Sequence, residues 1–538
     1  MAMRFIKKRW YWLLLVAMAL LTLYMDVYVA KNVLDGDTSD YLYWARTIAQ
    51  EKNPFTSDYY FSTELRLLDV SFIFSLFFFL TDSWLLVRIL GTITMQAIYV
   101  ASFLFMTRQA GIRRPARVAA AALMLSPFSA GYARIVLYQL HYILYISNAL
   151  WIVGLTLLTL KRLDSPRRAV LPACLLGVLW LFVGINGVRH MMIIGAPMLA
   201  YCLLRCYRAL NWTDHSLQPF WQTEALRLTA VLAASCVCFL AGYMLNQRVL
   251  IPYYGIINSS ATTFTPTQTA DHYAAILNGW LTAIGARHSS QPVMGLRGLS
   301  LLAALFSFGW LLWRSLRSLG RDLPAGEGLT RGLLGLGFAV TTLAFALENG
   351  TRWYDLYYVP VLVLAFPLLA WEMEGALEAA RPLGVRLAGI LCCVCFLFQG
   401  AYTAYYLRVD RGGMDAWSGL PVQNLNLTDE CRDCVAFMQQ NGYTHGVMQY
   451  WYANVMMELS DGDVTMLPYL YTLEPGVLQM YQWGTSKTAM RRENLPDRIP
   501  IFVIHQYADD FQANHPSAVC VWQGWKFTAF EMPTDDIL

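Results

Sequence analysis

The sequence predicts a polytopic α-helical membrane protein, with about eleven transmembrane helices and a small C-terminal α/β domain outside the membrane. Hydrophobic residues make up 57% of the 538 residues and charged residues only 14%, against about 25% charged in an average soluble protein. The mean hydropathy is +0.40, and apolar runs of roughly 20 residues, long enough to cross a bilayer, recur along the chain. Beyond residue 408 the composition turns polar, with Asn, Asp, Gln and Gly returning.

The composition also excludes several classes of protein. A net charge of +4 is too small and too dispersed to indicate a nucleic-acid partner. The sequence contains no Walker loop, no H-E-x-x-H and no nucleophile elbow, which argues against a nucleotide-driven pump or a membrane metalloprotease. Most of the eleven cysteines lie in apolar runs, where Cys behaves as a small hydrophobe. Cys431 and Cys434 are predicted to form a local disulfide or to remain two free thiols.

Eleven apolar runs are the predicted spans. They lie at about residues 11–30, 85–106, 118–133, 142–160, 169–186, 191–207, 228–247, 298–313, 331–347, 357–371 and 387–407. The first run follows the basic segment Met1–Arg9 and could pass for a signal peptide, but no small-residue cleavage site precedes the polar stretch after it. We therefore expect this helix to be retained.

Lys and Arg placement predicts the sidedness, because basic loops stay cytoplasmic. The basic clusters lie at residues 4–9, 108–117, 161–168 and 314–321, and they must share one side. Counting the apolar run 67–80 as a span would put the second cluster outside, so we predict an interfacial or re-entrant helix there. The N-terminus is then cytoplasmic and the C-terminus extracytoplasmic.

This map divides the chain into a transmembrane domain over residues 1–408, whose outer loop 31–82 carries the candidate site, and an extracytoplasmic α/β domain over 409–538. In the second domain a helix is predicted over 435–440. Strands are predicted over 446–452, 464–467, 501–505 and 518–522. The Asp-Gly-Asp triplet at 461–463 is predicted to be a hairpin turn between two strands.

The outer loop contains three carboxylates within six residues, Asp35, Asp37 and Asp40, directly before or within an amphipathic helix predicted over 38–51. A carboxylate held at the membrane surface could take a proton from a hydroxyl group. Alternatively, Asp35 and Asp37 could bind a divalent cation such as Mg²⁺ or Mn²⁺ through oxygen ligands. A structural reading is also open, in which Asp37 is the N-cap of the helix and Asp40 stands at N3 of a capping box.

The stretch after helix 1 resembles a sequence motif of the GT-C superfamily of membrane glycosyltransferases, which often reads G-D-E-x-x-Y. Gly36, Asp37 and Tyr41 match this motif, and Thr38 stands in place of the Glu. The segment 351–360 (TRWYDLYYVP) is similar to the R-Y-x…P segment of the aminoarabinose and mannosyl transferase group, with Arg352 as the matching arginine. The tail at 450–460 resembles the extracytoplasmic domain of other bacterial members.

The resemblance implies an inverting glycosyltransferase of the bacterial inner membrane that acts on the outer side. Its donor would be a polyprenyl-phosphate-linked sugar held among membrane lipids, and its acceptor a glycan, a lipid or a cell-wall polymer. Asp37 would be the base that deprotonates the acceptor hydroxyl, with Asp35 as helper or metal ligand, and Asp40 and Tyr41 would contact substrate.

Cationic groups on the predicted outer side are the candidates for binding the donor phosphate, because the guanidinium fork suits oxyanions. They are Arg66, Arg134, Arg189, His190 and Arg352. An arginine near a helix end also snorkels to lipid headgroups, so anchoring stays open for each of them. Glu348 is a further candidate for substrate binding, although it could simply pair with Arg352 four residues later.

A carrier is the rival class, either a lipid-linked glycan flippase or a secondary transporter. Carriers place charged residues in the middle of their spans. Here nearly all charges fall at span ends or in loops, with Asp26 near the end of helix 1 as the partial exception. A subunit that keeps the fold without activity is the third possibility, because Thr38 departs from the motif. The sequence predicts no oligomeric state.

Overall fold

The structure is a computed structural model that describes residues 2–32, 34–61, 65–209, 224–256, 269–286, 294–348, 357–378, 381–407, 427–471 and 478–537. The α-helices of the bundle are Ala2–Tyr28 (α1), Gly36–Glu51 (α2), Val70–Phe78 (α3), Trp84–Ala110 (α4), Arg114–Met124 (α5), Ala130–Tyr132 (α6), Ile143–Arg162 (α7), Pro166–Ile185 (α8), Ala196–Ala209 (α9), Glu224–Leu245 (α10), Ile251–Tyr254 (α11), Ala270–Ala283 (α12), Leu296–Leu319 (α13), Ala325–Leu347 (α14), Val359–Leu362 (α15), Ala365–Leu377 (α16) and Leu383–Tyr406 (α17). Turns of π-helix lie at Ala133–Tyr138, Met191–Gly195 and Asn246–Leu250.

Nine of the eleven predicted spans are confirmed, within the described residues, as helices long and apolar enough to cross a membrane. The predicted span at 118–133 is split instead, because α5 ends at Met124 and the chain passes through Pro127 before α6 begins. Proline has no amide hydrogen to continue a helix ladder. The predicted span at 191–207 begins as a π-helical turn and continues as the 14-residue α9. The total of eleven spans stays a prediction.

The predicted basic clusters gather at one end of the helix bundle, which we call the basic end. The guanidinium of Arg114 lies 5.2 Å from the ring centre of Trp12, so the start of α1 adjoins that of α5. Lys161 donates a hydrogen bond to the carbonyl of Gln109 at 2.5 Å. Arg208, at the end of α9, donates a hydrogen bond to the carbonyl of Arg321 at 3.2 Å. The membrane side on which this end lies remains a prediction.

The apolar run at 67–80 forms a helix too short to span a bilayer. Helix α3 has nine residues, or about 13 Å at 1.5 Å per residue. Asp69 caps it by accepting a hydrogen bond from the backbone N–H of Ser71 at 2.9 Å. Helix α3 packs against α2 and against α4 at the end of the bundle opposite the basic end.

The polar tail folds as a six-stranded sheet in the order β4-β3-β2-β6-β8-β7. Strand β2 is parallel to β3 and β6, and the other pairs are antiparallel. The elements of the tail are Leu427–Gln440 (α18), His445–Gln449 (β2), Tyr450–Leu459 (α19), Thr465–Tyr471 (β3), Leu478–Met480 (β4), Thr485–Ser486 (β5), Arg498–Ile504 (β6), Ala508–Asn514 (α20), Val519–Gln523 (β7) and Phe527–Pro533 (β8). The boundary predicted at 408 lies outside the described residues.

Three of the four predicted strands and the predicted helix are confirmed in the tail. The strand predicted over 446–452 is wrong in its second half, because β2 ends at Gln449 and α19 begins at Tyr450. The side chains of Tyr450, Ala453 and Met457 recur at helical spacing and are buried, which the aromatic run GVMQYWY concealed.

The hairpin predicted at 461–463 is also wrong, because this segment is a turn that joins α19 to β3. Asp461 accepts a hydrogen bond from the backbone N–H of Trp84 at 2.7 Å and so caps α4 from a distant part of the chain.

The tail and the bundle share a buried ion pair. Glu458 of α19 accepts hydrogen bonds from Arg88 of α4, one of them at 2.5 Å from Nη2, and from the hydroxyl of Ser39 at 2.6 Å. The Arg88 and Glu458 side chains are 5% and 4% exposed. In addition, strand β1 (Tyr59–Tyr60) of the outer loop pairs with β5 of the tail. The tail is therefore part of the structure that positions α2.

Candidate active site

Helix α2 starts two residues earlier than predicted, and its N-cap is Asp35. The carboxylate of Asp35 accepts a hydrogen bond from the backbone N–H of Thr38 at 2.9 Å, while the Thr38 hydroxyl accepts from the N–H of Asp35 at 3.2 Å. The capping box predicted on Asp37 and Asp40 is therefore wrong by two residues. Asp35 carries the capping role, which leaves Asp37 in the first helical turn available for chemistry.

Gly36 lets the tail approach the start of α2. A Cβ atom at this position would lie 2.8 Å from the carbonyl oxygen of Tyr450 and 3.0 Å from the Cα of Trp451. Only a residue without a side chain fits between these backbones. The glycine of the motif thus brings α19 against the N-terminus of α2, and with it the side chain of Tyr450.

Asp35 also contacts Arg134 and His141 from the chain between α6 and α7. Its Oδ2 accepts a hydrogen bond from Nη2 of Arg134 at 2.8 Å and lies 3.9 Å from Nε2 of His141. Arg134 is held in turn by Gln139, whose side-chain oxygen accepts from Nε at 2.7 Å. Burial alone would raise the pKa of Asp35, but His141 and the charge of Arg134 outweigh burial and hold this pKa well below its usual range. Asp35 is therefore a carboxylate that orients the side chains of Arg134 and His141.

Asp37 is the partly exposed carboxylate at the centre of the site. Its Oδ1 accepts a hydrogen bond from the Tyr450 hydroxyl at 2.6 Å. Burial, followed by the charges of Asp37 and Asp40, raises the pKa of Tyr450 well above its usual value, so this phenol remains a donor. Among the described residues no group donates a hydrogen bond to Oδ2 of Asp37, so this oxygen is open to a further donor.

Asp40 lies one turn further along α2 in a different environment. Its Oδ1 accepts a hydrogen bond from Tyr59 at 2.5 Å, and its carboxyl packs on Gly484 so closely that a Cβ there would lie 2.5 Å from Oδ1. Burial raises the pKa of Asp40 to about 7; the hydrogen bond from Tyr59 opposes this rise and the negative charge of Asp37 adds to it. The Tyr59 hydroxyl and the backbone at Gly484 therefore enclose the carboxyl of Asp40 from two sides.

Tyr41 and Arg66 stand beside the acids. The Tyr41 hydroxyl is hydrogen-bonded to Nδ1 of His141 at 3.2 Å and accepts from Nη1 of Arg66 at 3.4 Å. Asn186, at the end of α8, fixes the segment after Arg66 by accepting from the N–H of Leu67 at 2.8 Å. His141 and Asn186, which the sequence did not indicate, thus help to position Tyr41 and Arg66 next to each other.

Arg189 and His190 lie next to the aromatic rings of Tyr142 and Tyr145. The guanidinium of Arg189 is 6.0 Å and 5.7 Å from the ring centres of Tyr142 and Tyr145. Burial raises the pKa of Tyr142, and the charges of Arg189 and Arg66 both oppose this rise, which puts the two arginines within electrostatic reach of one phenol. His190 is fully buried and stacks on Tyr145 with 4.8 Å between ring centres, so it packs behind Tyr145.

Of the two remaining predicted residues, Glu348 and Arg352, the structure describes only Glu348. Glu348 is buried directly after α14, where its charge adds to the effect of burial in raising the pKa of Tyr358. Arg352 lies outside the described residues, and so does the predicted pairing with Glu348. Cys431 and Cys434 are buried free thiols one turn apart on α18, away from the acids, which agrees with the second of the two predicted alternatives.

Both ligands of the predicted divalent cation, Asp35 and Asp37, already accept hydrogen bonds from the protein. Asp35 already binds Thr38 and Arg134, and Asp37 binds Tyr450. Among the described residues no group of three or more His, Cys, Asp or Glu side chains is arranged to hold a metal ion. A divalent cation held by Asp35 and Asp37 stays a prediction.

Several site residues could not be found from the sequence. Tyr450 and Glu458 contact Asp37 and Ser39 of α2 across 413 and 419 residues of chain. Arg88 binds Glu458 across 370 residues. His141 is a lone histidine between two apolar runs, with no spacing that marks it. Tyr59 is buried against Asp40, and no sequence pattern links these two residues.

Comparison with known structures identifies the fold. The protein has a GT-C-like fold, and it is similar over nearly its full length to ArnT from Cupriavidus metallidurans. The apo structure of that protein superposes with a TM-score of 0.57 and 13% identity, over 96% of this chain and 97% of the other. The structure of the same protein bound to undecaprenyl phosphate gives 0.54 and 12%, over 97% and 98%. No protein-family model and no curated protein sequence matches the chain.

Proposed function

We propose that the protein is an inverting glycosyltransferase that moves a sugar from a polyprenyl-phosphate donor to an acceptor on the outer side of a bacterial inner membrane. The observation that carries the proposal is the partly exposed carboxylate of Asp37, fixed by Tyr450 among Arg66, Arg134 and Arg189 at one end of an apolar bundle. The GT-C fold supports it, as does the undecaprenyl phosphate bound to ArnT. The acceptor is a glycan, a lipid or a cell-wall polymer.

Asp37 is the general base in this proposal. Its Oδ2 accepts the proton of the acceptor hydroxyl while the acceptor oxygen forms a bond to the anomeric carbon of the sugar. The bond from that carbon to the phosphate oxygen breaks, and its electron pair leaves with the phosphate. Attack on the face opposite the phosphate inverts the anomeric centre. Tyr450 holds the other Asp37 oxygen, so the base does not turn away from the acceptor.

The guanidinium groups of Arg66, Arg134 and Arg189 stabilise the departing phosphate. Charge builds up on the phosphate oxygens as the bond breaks, and donors already in position stabilise that charge without reorganisation. Arg134 is oriented by Asp35 and Gln139, and Arg66 by the segment that Asn186 fixes. Asp35 therefore acts as a positioning residue that keeps Arg134 and His141 aimed at one place.

The proposal is tested by comparing the wild type with Asp37→Asn in nanodiscs. Undecaprenyl phosphate carrying a hexose, a pentose or an aminopentose is supplied as donor, with cell-envelope glycan and lipid fractions as acceptors, and release of undecaprenyl phosphate is measured. The variant keeps the size of the side chain and an acceptor for Tyr450, so we expect it to fold. Loss of a general base lowers the rate by about 100- to 10,000-fold, and undecaprenyl-phosphate binding should change little.

Equal rates for Asp37→Asn and the wild type would remove Asp37 from the mechanism. The carrier alternative is tested with the same donors and the protein reconstituted in vesicles. A flippase or secondary transporter would move the intact donor across a vesicle membrane and release no undecaprenyl phosphate.

A further inference from the structure

A cavity of about 130 Å³ lies at the basic end, far from α2 and unused by the proposed function. It is formed between the end of α13, the start of α14 and the residue Arg381 that precedes α17. Five of its eight lining residues are arginines. A second cavity at this end, which Lys161 and Glu224 line, contains one arginine. A cavity with this much positive charge requires either internal carboxylates or an anionic ligand.

The base of the cavity is neutral. Glu372 of α16, 2% exposed, accepts hydrogen bonds from Arg314 at 3.0 Å and from Arg331 at 3.3 Å. Arg331 also donates to Glu327 at 2.7 Å. Two guanidinium groups and two carboxylates therefore compensate one another, and their hydrogen bonds give the cavity a rigid floor.

The mouth of the cavity is not neutral. Arg381 is paired with Glu378 at 3.3 Å. Arg317 and Arg321 are exposed, and in the described ranges neither has a carboxylate within ion-pair distance. Five arginines and three carboxylates leave an excess of two positive charges there. By contrast, Arg205 at the same end is paired with an exposed aspartate at 2.8 Å.

The surroundings of the mouth indicate which anion would bind. Phosphate oxygens match the planar donor fork of arginine, and basic pockets between transmembrane helices bind lipid headgroups. Trp313 and Leu316 on the outer face of α13 are 45% and 49% exposed next to Arg317, whose guanidinium lies 5.3 Å from the Trp313 ring centre. An apolar surface directly beside the charged mouth fits acyl chains and offers nothing to a free phosphate ion.

We propose that this cavity binds the phosphate group of an anionic phospholipid, with Arg317 and Arg321 as donors and the acyl chains along the exposed face of α13. The site lies at the opposite end of the bundle from Asp37, so the lipid would be bound as a structural ligand and not as substrate. The site and the proposed function can therefore fail separately.

The test measures lipid binding to the full-length chain in neutral detergent by native mass spectrometry. Phosphatidylglycerol, phosphatidylcholine and inorganic phosphate are titrated separately against the wild type, Arg317→Gln/Arg321→Gln and the matched control Arg167→Gln/Arg168→Gln. The control removes two exposed charges from the start of α8 at the same end. We expect the first variant to bind phosphatidylglycerol about 25-fold more weakly, roughly fivefold for each arginine, and the control to bind within about twofold of the wild type.

Equal phosphatidylglycerol affinity in the wild type and Arg317→Gln/Arg321→Gln would overturn the proposal. So would an equal loss in the control variant, because the effect would then be general charge attraction. Inorganic phosphate binding through Arg317 and Arg321 as tightly as phosphatidylglycerol would overturn the assignment to a lipid. Transfer activity serves as the separate readout, and both variants should retain it.

Discussion

Three carboxylates within six residues have different roles because each has different donors around it. Asp35 faces Arg134 and His141, and its pKa is held below the usual range although burial opposes this. Asp40 faces a phenol and a glycine, and its pKa is raised to about 7, mainly by burial. Asp37 lies between them with one phenolic donor. The three carboxylates therefore differ in their environments, and the proposal of Asp37 as the base rests on this difference.

Asp40 makes the stability of the protein depend on pH. Its pKa rises from 3.8 in the unfolded chain to about 7 in the folded protein, so the folded state binds the proton more tightly. The stabilising contribution is complete below about pH 4 and is lost as the pH rises to 7, by an amount on the order of 4 kcal/mol at about 1.4 kcal/mol for each pKa unit. We expect the wild type in detergent to have a lower Tm at pH 8 than at pH 5.

The variant Asp40→Asn cannot ionise and should lose most of this difference in Tm. Its amide still accepts a hydrogen bond from Tyr59. Asp35 does not interfere, because a lowered pKa makes its contribution complete above the unfolded value of 3.8. A pH dependence that is identical in Asp40→Asn and the wild type would show that another group causes it.

Asp35 separates the metal prediction from the electrostatic one. Asn is as good an N-cap as Asp, so Asp35→Asn should keep α2 while releasing Arg134. We expect transfer to fall by roughly 10- to 100-fold, since misplacing a charged group by about 1 Å costs about 100-fold. A chelator should change neither protein if Arg134 is the partner of Asp35. If a chelator inhibits the wild type and Mg²⁺ or Mn²⁺ restores it, while Asp35→Asn is insensitive, Asp35 is a metal ligand.

At the scale of elements, the contact between α2 and α19 depends on Gly36. The substitution Gly36→Ala places a Cβ 2.8 Å from a backbone oxygen, and a backbone cannot move aside as a flexible side chain can. The helices must separate, which moves Tyr450 away from Asp37. We expect the free energy of unfolding to fall by about 1–3 kcal/mol, which lowers the Tm. Transfer activity should be lost.

The matched control is Gly309→Ala in the middle of α13. A Cβ at that position would meet nothing within 4 Å, and alanine is a better helix former than glycine by about 1 kcal/mol. This variant should be as stable as the wild type or more so. If Gly36→Ala behaved like Gly309→Ala, the close approach of α19 would not be needed for folding or transfer.

Local elements were predictable and the contacts between distant ones were not. Long apolar runs are determined by bilayer thickness, so nine spans are recognisable from hydropathy. The two motif residues Asp37 and Tyr41 both lie on the short helix α2, and their roles in catalysis and binding stay predictions. The partner of Asp37 is Tyr450, 413 residues away, and a contact at that separation leaves no periodic pattern. The same reason concealed Arg88 and its buried carboxylate partner.

At the scale of the whole molecule, the tail domain is a part of the site. It supplies Tyr450 to the base, Gly484 to the wall beside Asp40, and Glu458 to the junction with α4. Glu458 also accepts from Ser39, so the junction and the first turn of α2 share one carboxylate. Loosening the domain should therefore impair transfer even if every side chain of the bundle stays in place.

The pair Arg88–Glu458 tests this coupling. Glu458→Gln leaves a guanidinium buried without its counter-charge, which costs about 3–5 kcal/mol, and should lower both the Tm and the transfer rate. Arg88→Met/Glu458→Met removes both charges and should be milder in Tm, while the loss of the Ser39 contact should still slow transfer. The exposed pair Arg498–Glu531, 3.1 Å apart with side chains 43% and 26% exposed, is the control. Glu531→Gln should cost less than about 1 kcal/mol and leave transfer unchanged. Equal losses from Glu458→Gln and Glu531→Gln would mean that the tail does not position α2 through this junction.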